Sequence, residues 1–176
     1  MTSHTGRLRV PQPDELRDDV AQLLPLIAPP GREPARTMAV LARQPDLLSP
    51  FLSWAAALAL QGVLSHRDHE LLALRVASNC GSKFEWEEHA EYARQAGITD
   101  DEIALVARAL DDGDWTDAER ALLAAADELA IDCDITDATW AALARHYDAP
   151  ALVEILFVVG QYTMLSMVAN AAGIDE

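Results

Sequence analysis

The chain has 176 residues, of which 51% are hydrophobic and 24% are charged, a composition typical of one soluble globular domain. Twenty-nine acidic residues against 13 basic ones give a formal net charge of -16. This charge repels phosphate backbones and anionic lipid surfaces, so we expect no nucleic-acid and no membrane partner. The N-terminus shows no apolar run of the secretory kind, and we expect a cytoplasmic protein.

Segments of helical length separated by helix breakers predict an all-α, single-domain fold, because no segment shows the period-two alternation of a half-buried strand. Residues 1–12 are predicted to form a flexible N-terminal arm and residues 13–176 the all-α domain. Asp14 and Glu15 are predicted to lie in the first turn of the first helix. A Ser-Pro signal at Ser49 predicts the start of a later helix, which ends at Gly62.

The middle of the chain contains the clearest helix signals. Helices are predicted over about 66–79 and 84–95, with the small-residue turn "NCGS" between them. Thr99 and Thr116, each followed three residues later by glutamate, predict two capping boxes at the starts of the next helices. Thr136 predicts the start of another helix.

The last predicted helix, residues 150–173, is apolar on almost all sides. It is long enough to span a membrane, but Glu154, Gln161 and Asn170 interrupt it, and we interpret it as a buried helix. A helix that is apolar all round must be covered on every side. Because 176 residues provide limited cover, we predict that part of this helix lies in the subunit interface of a homo-oligomer.

The cysteines and histidines show no disulfide or metal pattern. Cys80 and Cys133 are far apart in the sequence and are predicted to be small buried residues. His66 and His69 flank Asp68 at helical spacing, but such neighbours are common at polar helix starts. We therefore expect no metal.

The segment "KFEWEEHAEYARQ" contains a candidate acid/base pair. Glu85 and His89 lie one helical turn apart, so the carboxylate can bond the imidazole and favour its protonated form. The spacing fits a solvated acidic face with a boundary histidine even better. If the helices on either side of "NCGS" pack antiparallel, Glu70 and Arg75 would share a cleft with this pair.

Three neighbouring side chains have two interpretations each. Trp86 is more typical of a core than of a ligand platform. Lys83, the only lysine in the chain, could hold an anionic substrate near the helix start, or could occupy a chance surface position. Arg75 could contact a substrate or form a surface ion pair.

The stretch "RDHELLALRVASNCGSKFEWEEHAEYARQAGITDDEIALV" resembles the core of the carboxymuconolactone decarboxylase family, the superfamily that includes the AhpD alkyl hydroperoxidases. The matching features are the glutamate before "LLALRVA", the small-residue turn, the aromatic-Glu-Trp-x-x-His signature and the following "AxxAGIxxxEI". The resemblance implies an AhpD-like helical bundle, assembly into dimers, trimers or hexamers, a small-molecule substrate and no bound cofactor.

In the peroxidase branch of this superfamily a Cys-x-x-Cys pair precedes the histidine. Ser82 and Glu85 occupy those positions here, and neither can form a disulfide or reduce a peroxide. Cys80 has no resolving cysteine at that spacing. The resemblance is therefore to the decarboxylase-like branch, and thiol peroxidase activity is disfavoured.

In the decarboxylase branch an anionic unsaturated lactone loses carbon dioxide and is reprotonated. The resemblance implies that His89 is the general acid/base and that Glu85 or Glu70 orients it. The expected substrate contacts are Trp86, Ser82, Arg75, Lys83 and Tyr162. The leading hypothesis is a cofactor-free lyase or isomerase acting on a small carboxylated lactone or enolisable carbonyl compound. The alternative is a non-catalytic oligomeric binding protein on the same scaffold.

Overall fold

The computed structural model describes residues 7–28 and 33–174, and every regular element in these ranges is helical. Short 3-10 helices cover Pro13–Glu15 and Leu110–Asp112. The α-helices of the described residues are α1 (Asp18–Ile27), α2 (Arg36–Leu41), α3 (Pro45–Leu60), α4 (His66–Asn79), α5 (Lys83–Gln95), α6 (Asp100–Val106), α7 (Asp117–Asp132), α8 (Asp137–Leu143) and α9 (Ala149–Ala172). The prediction of an all-α fold is confirmed.

The chain forms two compact units. The N-terminal unit consists of residues 1–60 with 168–176, and the central unit of residues 61–167. Residues 1–6 of the predicted arm lie outside the described residues. Within the N-terminal unit the backbone N–H of Leu8 donates to the carbonyl of Ala172 at 3.0 Å, so the described end of that arm is bonded to the end of α9.

The N-terminal unit has a small apolar core. Buried side chains from α1, α3 and the end of α2 form it, with partly buried apolar side chains around them. The fully buried members are Val20, Leu24, Ala42 and Leu48. Burial of several aliphatic side chains at about 1.5–3 kcal/mol each stabilises this unit.

Two predicted helix starts in this unit are wrong. The segment with Asp14 and Glu15 forms a 3-10 turn, and α1 begins only at Asp18. Helix α3 begins at Pro45 instead of Ser49, because proline is favoured at the first helical position. Pro50 lies inside α3 and has no N–H, so one intrahelical bond is missing there.

Helix α4 lies at the centre of the central unit, where it packs against α5, α6 and α7. Its buried leucines Leu71, Leu72 and Leu74 have no exposed surface. A helix that is buried on so many sides holds its polar side chains in fixed positions. The residues that α4 brings into this core therefore include the ionisable groups of the candidate site.

Helix starts in the central unit follow the sequence signals closely. Thr99 and Thr116 form capping boxes with Glu102 and Glu119, and Thr136 accepts a bond from the backbone of the third residue of α8. Capping boxes satisfy two backbone donors that a helix start leaves open. The predicted starts of α6, α7 and α8 are confirmed.

Helix α9 is long and apolar enough to cross a membrane by length and composition alone, and 56% of its most apolar stretch is buried in the structure. Ile155 and Val158 are completely buried. The opposite side of the helix exposes several large apolar residues. The prediction of a buried helix therefore holds for one face of α9 only.

Candidate active site

The imidazole of His89 is bonded to a carboxylate from the neighbouring helix. Nδ1 of His89, on α5, lies 2.7 Å from Oε2 of Glu70, on α4. Both side chains are about nine-tenths buried. The turn "NCGS" reverses the chain between the two helices, as the antiparallel hypothesis requires, so residues 19 positions apart meet side by side.

A second carboxylate lies on the other side of the same imidazole. Oε2 of Glu85 is 3.8 Å from Nε2 of His89, which is longer than a hydrogen bond. The side chain of Glu85 is only 4% exposed. His89 thus has one nitrogen bonded to Glu70 and its other nitrogen close to the second buried carboxylate, Glu85. The structure brings Glu70, Glu85 and His89 together, as the antiparallel packing of the two helices predicts.

Tyr162 and His69 complete the cluster. The Tyr162 hydroxyl, from α9, lies 2.7 Å from Nε2 of His69, and both residues are buried. The ring of Tyr162 packs edge-on against His89 with centroids 4.4 Å apart. The tyrosine therefore fixes the orientation of His89 through its ring and that of His69 through its hydroxyl.

Burial keeps the His69–Tyr162 pair neutral. Desolvation lowers the pKa of His69, although the charge of nearby Glu70 opposes this effect. Desolvation also raises the pKa of Tyr162 well above its usual value, and the carboxylates of Glu70 and Glu85 reinforce this shift. A neutral imidazole and a neutral phenol can exchange donor and acceptor roles without a buried net charge.

Sequence reasoning did not place His69 in the site. Its spacing from His66 and Asp68 suggests only a metal site, and the described residues contain no group of three or more His, Cys, Asp or Glu side chains that could hold a metal ion. The available signal was spacing. His69 precedes Leu72 and Val76 by three and seven positions, so it lies on the buried face of α4.

Two of the other predicted site residues lie close to the cluster along α5. Ser82 is buried and is the N-cap of the helix, where its hydroxyl accepts the backbone N–H of Glu85 at 3.4 Å. This bond positions Glu85 in the first turn. Trp86, one residue further, is half-buried.

Arg75 does not join the cluster. Its guanidinium makes two bonds of 2.6 Å to the carboxylate of Asp127 on α7. Its remaining nitrogen donates to the carbonyls of Val106 at 2.5 Å and Arg108 at 2.6 Å. All three guanidinium nitrogens therefore tie α4 to α6 and α7, and the hypothesis of a cleft shared with Arg75 is wrong.

Lys83 lies on the surface. Its side chain is 69% exposed and its ammonium is 3.7 Å from Glu87, one turn along α5. An exposed pair of this kind contributes little to stability. The position fits the surface interpretation of this lysine.

Glu154 connects α9 to the loop that precedes α4. Its carboxylate accepts the backbone N–H groups of Val63 at 2.5 Å and Leu64 at 3.3 Å. Glu154 itself is buried. Tyr162 lies two turns further along α9. This contact and the His69–Tyr162 bond therefore fix α9 to α4 and its preceding loop at two points along the helix.

The cysteines differ in their surroundings. Cys80, at the C-cap of α4, is half-buried, and burial raises the pKa of its thiol while hydrogen bonds with Ser166 and Thr163 partly offset the rise. Cys133 is exposed, so the prediction that it is buried is wrong. It ends α7 in a left-handed conformation with φ 56°, a geometry of exposed helix ends.

The all-helical architecture is an AhpD-like fold, as the likeness to solved structures shows. Residues 45–128 match the model of the carboxymuconolactone decarboxylase family. The resemblance stated from the sequence is confirmed over this segment. No curated protein matches the chain significantly.

Solved structures show the same fold over most of the chain. A peroxidase-related protein from Ralstonia eutropha, described as an alkylhydroperoxidase AhpD core, has a TM-score of 0.80 at 21% identity, covering 93% of this chain and 88% of that one. A peroxidase-related protein from Silicibacter has a TM-score of 0.81 at 18% identity, covering 97% and 91%. A putative AhpD antioxidant defence protein from Agrobacterium tumefaciens has a TM-score of 0.66 at 22% identity, covering 71% and 86%.

Proposed function

We propose that the chain is a cofactor-free lyase or isomerase that uses His89 as a general acid/base on a small lactone or enolisable carbonyl compound. The observation that carries this proposal is the position of His89 between two buried carboxylates, at 2.7 Å from Glu70 and 3.8 Å from Glu85. An imidazole that is bonded to a carboxylate at one nitrogen can take up and release a proton at the other nitrogen.

The chemistry divides between the two ring nitrogens. Glu70 accepts the Nδ1–H bond of His89 and stabilises the positive charge when Nε2 also takes a proton. In an isomerisation, Nε2 removes a proton from the carbon next to the carbonyl, and the C–H electron pair moves into an enolate. The same proton is then returned to a different carbon of the substrate.

In a decarboxylation His89 acts as an acid after the bond to the carboxylate has broken. The bond between carbon and the carboxylate breaks, carbon dioxide leaves, and the electron pair delocalises into a dienolate. His89, protonated at Nε2, then delivers its proton to carbon. Buried hydrogen-bond donors near the developing oxyanion would lower the barrier, and the Tyr162–His69 pair is the neutral donor system closest to His89.

The surroundings favour a substrate with little negative charge. The guanidinium of Arg75 is occupied by Asp127 and backbone carbonyls, and Lys83 lies on the surface. The net charge of -16 opposes long-range attraction of a dianion. These observations support a neutral or singly charged carbonyl compound over a dianionic lactone.

The environment of the cysteines argues against a thiol peroxidase, although the solved structures above are described as peroxidase-related. Ser82 and Glu85 occupy the positions of the cysteine pair, and Cys80 has a raised thiol pKa. A thiol that stays protonated is a poor nucleophile. We expect Cys80→Ser to leave the acid/base activity unchanged, and neither protein to reduce a peroxide.

The test is proton exchange. Wild-type protein and His89→Gln are incubated in deuterated water with a panel of enolisable ketones and lactones, and carbon-bound deuterium is followed by NMR. Decarboxylation of 4-carboxymuconolactone is followed in parallel by ultraviolet absorbance. His146→Gln, which changes an exposed histidine outside the cluster, is the matched control.

We expect exchange or turnover in wild type and in His146→Gln, and loss of at least 100-fold in His89→Gln with the fold retained by circular dichroism. Full activity in His89→Gln would contradict the proposal. A compound that raises the melting temperature of the wild type without exchange or turnover would point to a binding protein on this scaffold.

A further inference from the structure

Gln161 is a polar side chain buried in α9, directly before Tyr162 in the sequence. The residue is only 7% exposed. Its Oε1 atom is buried and has no hydrogen-bond partner among the described residues. Native proteins leave few buried polar atoms in this condition, and each of them needs a physical reason.

The carboxamide of Gln161 contacts the hydroxyl of Tyr162. Desolvation and the carboxylates of Glu70 and Glu85 raise the pKa of this hydroxyl, and a hydrogen bond with the Gln161 side chain opposes the rise. A bond that lowers the pKa of a phenol is one donated to its oxygen, so the amide nitrogen of Gln161 is the partner of Tyr162. Oε1, at the other end of the carboxamide, is left for a different donor.

Stability does not explain a glutamine at this position. A buried oxygen without a partner destabilises the fold, because the bonds that it made to water in the unfolded chain are lost. An unbranched apolar side chain such as methionine fills a similar volume without this cost, and most of α9 is apolar. The carboxamide therefore points to a ligand that supplies a hydrogen-bond donor.

The cluster around His89 favours uncharged ligands. The carboxylates of Glu70 and Glu85 accept hydrogen bonds and do not donate them. The two cations predicted as substrate contacts, Arg75 and Lys83, lie outside the cluster. A carboxylate on a ligand would therefore meet like charges, whereas an uncharged ligand with a donor group matches these acceptors.

The acid/base chemistry proposed for His89 narrows the donor to a hydroxyl group. A hydroxyl donates one hydrogen bond. On the carbon next to a carbonyl group it also withdraws electrons, which makes the neighbouring C–H bonds more acidic. A site that bonds a substrate hydroxyl discriminates against analogues without one, because its own buried polar atom is then left unpaired.

We propose that Gln161 is a specificity-determining residue whose Oε1 accepts a hydrogen bond from a substrate hydroxyl, and that the substrate is an uncharged hydroxy ketone or hydroxy lactone. The substrate class rests on the proposed function, since the reaction requires the carbonyl group. The binding of a hydroxyl group by Gln161 does not.

The first test compares two ketones of nearly the same size. Hydroxyacetone has a hydroxyl group where butanone has a methyl group, and both have a second methyl group next to the carbonyl. Exchange of the protons of that second group for deuterium is followed by NMR in the wild type, in Gln161→Met and in the control Gln95→Met, which changes an exposed glutamine of α5. Each rate is divided by the rate without protein, because the two ketones differ in acidity.

In the wild type and in Gln95→Met, we expect kcat/KM for hydroxyacetone to exceed that for butanone by about tenfold or more. In Gln161→Met this ratio should fall toward one, mainly because the exchange of hydroxyacetone slows. Gln161→Leu takes its place if the methionine variant does not fold. Exchange with equal rates for both ketones in the wild type, or with an unchanged ratio in the folded variant, would overturn the proposal.

Binding measurements separate this inference from the proposed function. The dissociation constants of both ketones are measured by NMR titration in the wild type, in Gln161→Met and in His89→Gln, which lacks the proposed base but keeps Gln161. We expect tighter binding of hydroxyacetone in the wild type and in His89→Gln, and equal binding of the two ketones in Gln161→Met.

This preference without any proton exchange would remove the proposed function and keep the role of Gln161. Equal binding of the two ketones in the wild type would overturn that role whatever the exchange rates are. Pyruvate, which has a carboxylate where hydroxyacetone has its hydroxymethyl group, should bind more weakly than hydroxyacetone. Tighter binding of pyruvate would overturn the assignment of an uncharged substrate.

Discussion

The hydroxyl of Tyr162 and Nε2 of His69 lie 2.7 Å apart although 93 positions separate the two residues in the sequence. The bond joins α9 to α4 inside the central unit, beside the ring of His89. Because both partners are buried, removal of one leaves the other without its bond in a dry environment. A buried group in this condition costs about 1–3 kcal/mol.

Tyr162→Phe should therefore lower the free energy of unfolding by about 1–3 kcal/mol, while the aromatic packing against His89 is retained. Urea unfolding measures the change. A double-mutant cycle with His69→Leu gives the control, since the coupling energy of the two changes should be about 1 kcal/mol or more. Strictly additive effects would show that the bond does not contribute to stability.

Glu70→Gln should remove the charge of this carboxylate while keeping its hydrogen bond to His89. The amide oxygen can still accept the Nδ1–H of His89, but it cannot stabilise a positive imidazolium. For the reaction identified by proton exchange, we expect kcat to fall about 100-fold with KM nearly unchanged.

Steady-state kinetics measure this split between kcat and KM. Glu91→Gln, on the exposed side of α5, is the control and should match the wild type. A Glu70→Gln protein with full kcat would remove Glu70 from the mechanism.

Arg75→Gln should destabilise the fold without a specific effect on substrate affinity. It breaks the paired bonds to Asp127 and leaves the carbonyls of Val106 and Arg108 without their donor. Loss of one partner of a buried ion pair costs on the order of 3 kcal/mol. Arg75→Lys should recover little of this, because an ammonium cannot reproduce the guanidinium fork.

Chemical unfolding measures the loss, and Arg94→Gln, which breaks an exposed pair with Asp100, should have a much smaller effect. An Arg75→Gln protein of wild-type stability with a raised KM would restore Arg75 as a substrate contact.

The ion pairs of Arg67 should make the free energy of unfolding depend on pH in the acidic range. Hydrogen bonding to Arg67, then to the backbone of Thr99, lowers the pKa of Glu102 to about 2, whereas the unfolded carboxyl titrates near 4.5. A carboxyl group whose pKa is lower in the folded than in the unfolded protein stabilises the fold at pH values above the unfolded pKa. This contribution is lost as the pH falls toward the folded pKa.

Arg67→Gln should therefore lower the free energy of unfolding by about 1–2 kcal/mol at pH 7, allowing for partial exposure of the pair. The difference between wild type and variant should shrink as pH falls from about 5 to about 2. Urea unfolding across this range measures it. A difference that stays constant with pH would show that the charge of Glu102 does not contribute.

Local signals explain why much of the central unit could be predicted. The bounds of α4 match the prediction, and the starts of α6 and α7 follow from capping residues that act within one turn. The pairing of Glu70 with His89 needed only the antiparallel connection between α4 and α5. These features depend on residues close together in the sequence.

The unpredicted features depend on distant contacts. Nothing near Arg75 in the sequence indicates Asp127, which approaches it from α7, and nothing near His69 indicates Tyr162. Several prolines and acidic residues in these segments could each begin a helix. Packing decides that α1 begins at Asp18 and α3 at Pro45. Tertiary contacts override local propensity at such positions.

Glu154 fixes the position of α9 along its own axis. Its carboxylate fixes the helix against the backbone of Val63 and Leu64, and Tyr162 lies eight residues further along, about 12 Å at 1.5 Å per residue. A helix transmits rotation and translation along its axis almost rigidly. The alignment of the Tyr162 hydroxyl with His69 therefore depends on a loop contact two helical turns away, and a substitution of Glu154 is expected to displace Tyr162 although the two side chains are about 12 Å apart along the helix.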